Sequence, residues 1–251
     1  MADRGRNCVV FIVEGDSDRI ALEQPMTALF DMIDETIKVV FCKPGILGGD
    51  ITSLSGVNQN NIVEKLIERI KDELYHVKKV FPENILEFIQ IVDTDGAYLD
   101  PSSVVSADPE HLEVHDPYYN AERLVIESSN PEGIRARNEN KRNNLDRLIQ
   151  LTEISMQGNS IPYNVYYFSS NIDHFLHNEP NAHSKTLLAK SFSANYIWDP
   201  KGFAEFFVFD DYATKCEEFL DSWCEVKTEG NSIKCGTNIN ILMKDLLRQV
   251  K

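Results

Sequence analysis

The chain has 251 residues, 42% of them hydrophobic, and a formal net charge of −15. That length supports one sizeable core, or one core with a small appended unit. No apolar run approaches the ~20 residues that cross a bilayer, nothing reads as a signal h-region, and the chain is therefore read as cytoplasmic, with no membrane partner. So acidic a balance argues against autonomous tight binding to nucleic acid, which draws on a basic face. Cys8, Cys42, Cys216, Cys224 and Cys235 form no CxxC pair and read as reduced, mostly buried thiols.

Residues 8–13 are a buried-strand pattern that stops at Glu14 and is followed by Gly15, Asp16, Ser17 and Asp18. From Asp18 to about Ile33 the apolar residues Ile20, Leu22, Met26, Leu29 and Phe30 can share one helical face. "IKVVFC" (37–42) is a second strand pattern, and "KPGILGGD" (43–50) is a glycine-rich loop. Residues 61–81 carry the clearest helical period, with Ile62, Leu66, Ile70 and Leu74 on one face and Pro82 just beyond. "ILEFIQIV" (85–92) is a third strand pattern, ending at Asp93. Strand, helix, strand, helix, strand predicts a parallel sheet with right-handed crossovers.

The stretch 98–142 is rich in Pro, Ser, Asp and Asn and reads as a loop-rich insertion, with one short apolar run at 123–128. Helical spacing returns at 143–154, a fourth strand pattern occupies 164–168, and 171–177, 182–194, 200–208, 212–225 and 240–250 read as helices. The expectation is an α/β domain over 1–170 with that insertion, and a mainly helical region over 171–251 packed on it.

Carboxylates follow these strands: Glu14, Asp16 and Asp18 after the first, Asp93 and Asp95 ("VDTDG") after the third, and Asp173 ("FSSNID") after the fourth. In a parallel sheet the strands' C-terminal ends share the edge where ligands bind. If the first and third strands are neighbours, Glu14, Asp93 and Asp95 converge there. Carboxylates crowded together repel, and either a proton or a hard divalent cation relieves the repulsion. The reading is an Mg²⁺ (or Mn²⁺) site suited to phosphate chemistry. Taken singly, "DTDG" is also an ordinary turn and Glu14 an ordinary helix-start acid.

At "IVEGDSD" and "IVDTD" the chain resembles the Toprim family, found in topoisomerases, primases and OLD-type nucleases. The resemblance covers roughly 8–100 and extends to the strand at 164–168. It implies a compact Rossmann-like sheet, Mg²⁺ binding by Glu14, Asp18, Asp93 and Asp95, and glycines such as Gly48 and Gly49 after the second strand. "YYFSSNIDHFLHN" (166–178) is similar to small stand-alone Toprim-like proteins of bacterial phage-defence loci, with Asp173 where those usually carry Glu. The nuclease branch then implies hydrolysis of DNA or RNA, tRNA included, beside an ATPase partner protein. Lys185 or Lys190 would stabilise developing charge, and the basic segment 135–147 would contact a phosphate backbone or be a solvated helix entry.

Two alternatives stand beside this. "IVDTDG" also resembles the first motif of haloacid-dehalogenase-type phosphatases, with Asp93 as nucleophile and Asp210–Asp211 in a later motif. A Toprim-like scaffold that binds a partner or nucleotide without cutting is the other.

Overall fold

The computed structural model describes residues 7–43, 49–228 and 230–250; Gly48 of the anticipated glycine pair lies outside them. The chain begins β1 (Cys8–Ile12), α1 (Asp16–Ile33), β2 (Lys38–Cys42), α2 (Ile62–Asp72) and β3 (Ile85–Asp93). The short strands β4 (Val104–Ser106), β5 (Tyr118–Asn120) and β6 (Val125–Ser128) follow, with α3 (Pro109–Val114) between β4 and β5. Next come α4 (Pro131–Ile149), β7 (Glu153–Met156), β8 (Asn159–Ser169), α5 (Ile172–His177), α6 (Lys185–Tyr196) and α7 (Pro200–Phe209). The chain ends with α8 (Phe219–Val226), β9 (Gly236–Thr237) and α9 (Ile239–Gln249).

The main sheet runs β2-β1-β3-β8-β7, with β9 also on β8. β1 pairs parallel with β2 (Val10 opposite Val40) and with β3 (Phe11 opposite Ile89), and β3 pairs parallel with β8 (Asp93 opposite Phe168). β7 and β9 run antiparallel to β8. The protein is thus α/β, with a mostly parallel sheet between helices. β1 and β3 are neighbours, so Glu14 and Asp93 leave the sheet at one edge.

Alternation along the strands builds two apolar layers. Val10 and Ile12 of β1, with Phe88 and Val92 of β3, face α2, α4 and α8 through Leu66, Ile70, Leu145, Leu148 and Trp223. Val9, Phe11, Ile89, Ile91 and Phe168 face α1, α6, α7 and α9 on the other side. Phe175 of α5 stacks on Phe207 of α7 at 5.7 Å, and Phe192 of α6 joins them at 6.3 Å from Phe207. This aromatic group seats the segment that carries Asp173 and Lys185. Tyr119, Val104 and Ile126 of the small sheet close a third, minor core with Leu99 and Ile233.

Several elements differ from the sequence reading. The stretch 98–142 holds the three-stranded sheet β4-β6-β5, α3 and the first half of α4. α4 starts at Pro131 instead of near 143, because its first inward face is polar: Asn138, Lys141 and Asn144 are buried there. Asn130 caps it by accepting from the Gly133 N–H at 3.1 Å. Residues 153–156 form β7 instead of a helix tail; Gln157 (φ +49°) and Gly158 (φ +80°) make the tight turn into β8. α2 passes into a π-helical turn at Glu73–Lys78 that ends at Lys79, whose φ is +56°. The helix expected over 212–225 is confined to α8. All five cysteines are free thiols. Among the described residues, no helix is long and apolar enough to cross a membrane.

Phe207→Ala should remove about 3–5 kcal/mol of unfolding free energy, the usual cost of emptying a buried phenylalanine position. Urea denaturation measures it, and a loss below ~1 kcal/mol would show that the aromatic group does not organise this layer.

Candidate metal centre

The end of β1 is fixed by the Val13 N–H donating to the Cys42 carbonyl at 3.0 Å. Glu14 follows, and its Oε1 accepts the Asp93 N–H at 3.0 Å. One carboxylate therefore ties the ends of β1 and β3 together. Gly15 begins α1 and donates its N–H to Asp18 Oδ2 at 2.9 Å, while Ser17 Oγ donates to Asp18 Oδ1 at 3.1 Å. Asp18 is thus turned back on its own helix start. Asp16 is exposed and pairs with Lys43 at 2.7 Å.

After β3 the chain turns sharply. Asp95 (φ +50°) and Gly96 (φ +69°) both have left-handed backbones, and so does Ser170 (φ +61°) at the end of β8. The left-handed backbone at Gly96 favours glycine, and a side chain there would meet Ile126 Cδ1 at 2.8 Å, so that the buried isoleucine would have to shift. The turn is clamped: Thr94 Oγ1 and the Gly96 N–H both donate to the Ser232 carbonyl, and the Asp95 N–H donates to the Ser170 carbonyl.

Two residues not anticipated from the sequence complete the cluster. Asp50 accepts the Thr52 N–H on Oδ1 at 2.7 Å and directs Oδ2 to Lys141 Nζ at 2.8 Å. Lys141 is fully buried, and its ammonium also lies 2.5 Å from Asp95 Oδ2 and 3.6 Å from Glu14 Oε1. Tyr119 donates its hydroxyl to Asp95 Oδ1 at 3.0 Å, and Arg137 reaches the Asp95 carbonyl at 3.5 Å. The basic segment 135–147 is therefore not a solvated helix entry over this half. Arg135 donates to the Pro101 and Val104 carbonyls, and Arg137 and Lys141 point at the acids.

Oxygens of Glu14, Asp50 and Asp95 lie within 4.8 Å of one another, close enough to hold a metal ion, and hard carboxylate oxygens suit hard divalent cations. Asp93 lies beside this set; its Oδ1 accepts the Ile172 N–H at the start of α5, at 3.0 Å. On the far side of Asp93, Asp173 is ion-paired to Lys185 at 3.3 Å. The six residues singled out in the sequence (Glu14, Asp18, Asp93, Asp95, Asp173 and Lys185) thus gather at one sheet edge. Asp18 and Asp173 have their own partners and stand outside the three-oxygen set. Lys190 is exposed on α6. Asp211 is also exposed, and Asp210 is half-buried and accepts the Tyr212 N–H at 2.8 Å.

The electrostatics follow from this packing. Burial, then Asp50, raises the Glu14 carboxyl well above its usual range, and Lys141 only partly opposes them. Burial, with Asp18 and Asp95, does the same to Asp93. Asp95 goes the other way: burial opposes its charge, but Lys141 and Arg137 overcome it and bring the carboxyl to about 2. Lys141 is held charged by Asp50, Asp95 and Glu14 against its own burial. Lys185 is likewise held charged, by Asp173 and Asp93.

A second group that could take an ion, Asp108, His111 and Glu127, lies by the small sheet. Its geometry is already accounted for by protein partners. Glu127 meets His111 Nδ1 at 2.6 Å, Asn120 at 3.1 Å and Arg123 at 3.3 Å.

Asp50 gave no sequence signal beyond its place after a glycine pair. Lys141 lay inside a segment read as outward-facing. Compared with known proteins, the chain matches no family model, no curated protein and no solved structure.

With divalent cations chelated, the raised carboxyls of Glu14 and Asp93 bind protons in the folded state that the unfolded chain has already released, so their contribution is lost as pH rises. Asp95 contributes in the opposite sense and is lost only as pH falls toward about 2. Burial of His174, which brings its imidazole down to about 4, pulls the other way over the same range, so the expected outcome is a difference: lowering the pH from about 8 to about 5 should raise the melting temperature of wild type relative to a Glu14→Gln/Asp93→Asn double variant. A double variant that keeps the whole slope would show that other groups cause it.

Proposed function

We propose that this chain is a Mg²⁺- or Mn²⁺-dependent nuclease that hydrolyses phosphodiester bonds, built on a Toprim-like scaffold. The observation that carries the reading is the convergence of Glu14, Asp50, Asp93 and Asp95 at the C-terminal edge of neighbouring parallel strands. Buried carboxylates so close together are costly unless a cation or protons compensate them. The "IVEGDSD" and "IVDTD" segments, whose acids meet there, are the ones that resemble the Toprim family.

In this reading Glu14, Asp50 and Asp95 hold the ion, which when bound supplies Lewis-acid charge to a phosphoryl oxygen and lowers the pKa of water. Glu14 fixes the spacing of β1 and β3 through the Asp93 N–H. Asp93, anchored by Oδ1 on Ile172 and shifted toward its protonated form, is placed to hold or release a proton through Oδ2. Lys185 lines a cleft with His115, His183 and the start of α6, and presents a cation beside the acids where phosphate oxygens would lie.

The substrate is DNA or RNA, tRNA among the candidates. The resemblance adds an ATPase partner, a cytoplasmic setting and a role in phage defence. A partner that delivers the substrate suits a chain of net charge −15.

Glu14→Gln keeps an oxygen for the Asp93 N–H and removes the charge. It should lower Mn²⁺-dependent cleavage of mixed DNA and RNA by about 10³-fold, equivalent to ~4 kcal/mol of barrier, while melting at or above the wild-type temperature in EDTA. Undiminished cleavage by this variant would place the chemistry elsewhere.

A further inference from the structure

The three oxygens grouped closely enough to hold a metal ion belong to Glu14, Asp50 and Asp95. The same three residues surround the Lys141 ammonium, at 3.6, 2.8 and 2.5 Å. They come from three separate segments: the end of β1, the loop after β2 and the turn after β3. Lys141 reaches them from α4 and is itself completely buried. A cation is therefore already seated in the place that a metal would take.

The two cations cannot share it. Magnesium approaches carboxylate oxygens to about 2.0–2.1 Å, and an ammonium within hydrogen-bond distance of the same oxygens would face it across a gap too short for two positive charges in a buried site. With all three acids ionised, the ammonium leaves the set at a net −2, and a divalent ion in its place leaves it at a net −1. Replacement of the ammonium by a divalent ion compensates the three acids better than the lysine does.

We propose that Lys141 is a tethered counter-ion that fills the cation place of the Glu14–Asp50–Asp95 set and swings out, still protonated, when a divalent ion enters. This rests on the reading of the site as a metal centre. Metal loading and release of the ammonium are then one exchange. The cation-free protein keeps its acids together, the site discriminates against weakly held ions, and loading frees a positive charge at the edge where an anionic substrate arrives. Lys141 is a positioning residue in this scheme.

The exchange can be read in the wild-type protein by acylating its lysines and following each by mass spectrometry, in EDTA and in saturating Ca²⁺, with Ca²⁺ binding measured by calorimetry. Lys190 and Lys201, both exposed, serve as internal references. Lys141 should be protected in EDTA and react about tenfold faster with Ca²⁺ bound, while the references hold constant; Lys141→Met should bind Ca²⁺ or Mn²⁺ about tenfold more tightly than wild type, a ~1.4 kcal/mol gain. If Ca²⁺ binds and Lys141 stays protected, or the variant binds no more tightly, the exchange is wrong and the metal centre stands. If neither protein binds Ca²⁺ or Mn²⁺, the metal reading falls and the exchange falls with it. Should Lys141→Met not fold, the wild-type labelling decides alone.

Discussion

An ammonium held among three carboxylates is the interaction on which the edge of this sheet depends. Glu14, Asp50 and Asp95 belong to segments that share no secondary structure, and left to themselves they would repel. Lys141 gives them a common partner. A buried ion pair of this kind is weak evidence of net stabilisation, because desolvation offsets most of the Coulomb gain. Its value lies in placement. The flanking asparagines of α4 do the rest: Asn138 donates to the Gly96 carbonyl, Asn140 to Val57, and Asn144 to Thr52. One helix face thus stitches the loop after β2 to the turn after β3, with the lysine between them.

The backbone around the acids is held under constraint. Asp95 and Ser170 adopt left-handed conformations that cost a non-glycine residue energy. They persist because the segment before β9 clamps them. The Ser232 carbonyl alone receives Thr94 Oγ1, the Gly96 N–H and the Ser170 N–H. Tyr119, from the small sheet, fixes the Asp95 carboxylate from the other side. Residues that look peripheral in the chain, near 119 and 232, are therefore part of what orients an acid read from the sequence at 95. Such support from rigid neighbours keeps a ligand set in register.

Apolar rhythm made the framework legible. β1, β2, β3, α1 and α2 are each a hydrophobic run or a 3.6-residue repeat, because each buries carbon. Once those strands are parallel neighbours, the acids that follow them must meet, and Glu14, Asp93 and Asp95 do. The failures have one cause. From Pro131 to Asn144 the buried residues of α4 are Asn138, Lys141 and Asn144, so this part carries no apolar period, and helical spacing becomes visible only from Leu145. β7 is four residues long and follows α4 after only Gln150, Leu151 and Thr152, without a break in hydrophobicity, and the turn that marks it as a strand, Gln157–Gly158, comes only at its far end. Asp50 is a carboxylate in a loop, indistinguishable in sequence from a turn former. Polar burial is decided by partners distant in the chain, and no local pattern announces it.

The same inward turn of basic residues bears on how an acidic protein could engage nucleic acid. Arg135, Arg137 and Lys141 are three of the five basic residues in the stretch 135–147, and each is used by carbonyls or carboxylates of the protein itself. As they stand in the cation-free protein, they are not free to neutralise a phosphate backbone. What remains at the edge is Lys185, paired to Asp173, and whatever cation the acids accept. Affinity for nucleic acid from counterion release scales with the number of phosphates neutralised, and few lysines or arginines here are placed to do it. Recognition on the proposed reading therefore rests on a bound divalent ion and a delivering partner, and the ion becomes the substrate's main anchor as well as the source of the chemistry. On that reading the coupling gives a physical reason for keeping a lysine in the cation place until the metal arrives: without the ion, the acids at this edge offer a phosphate little to bind.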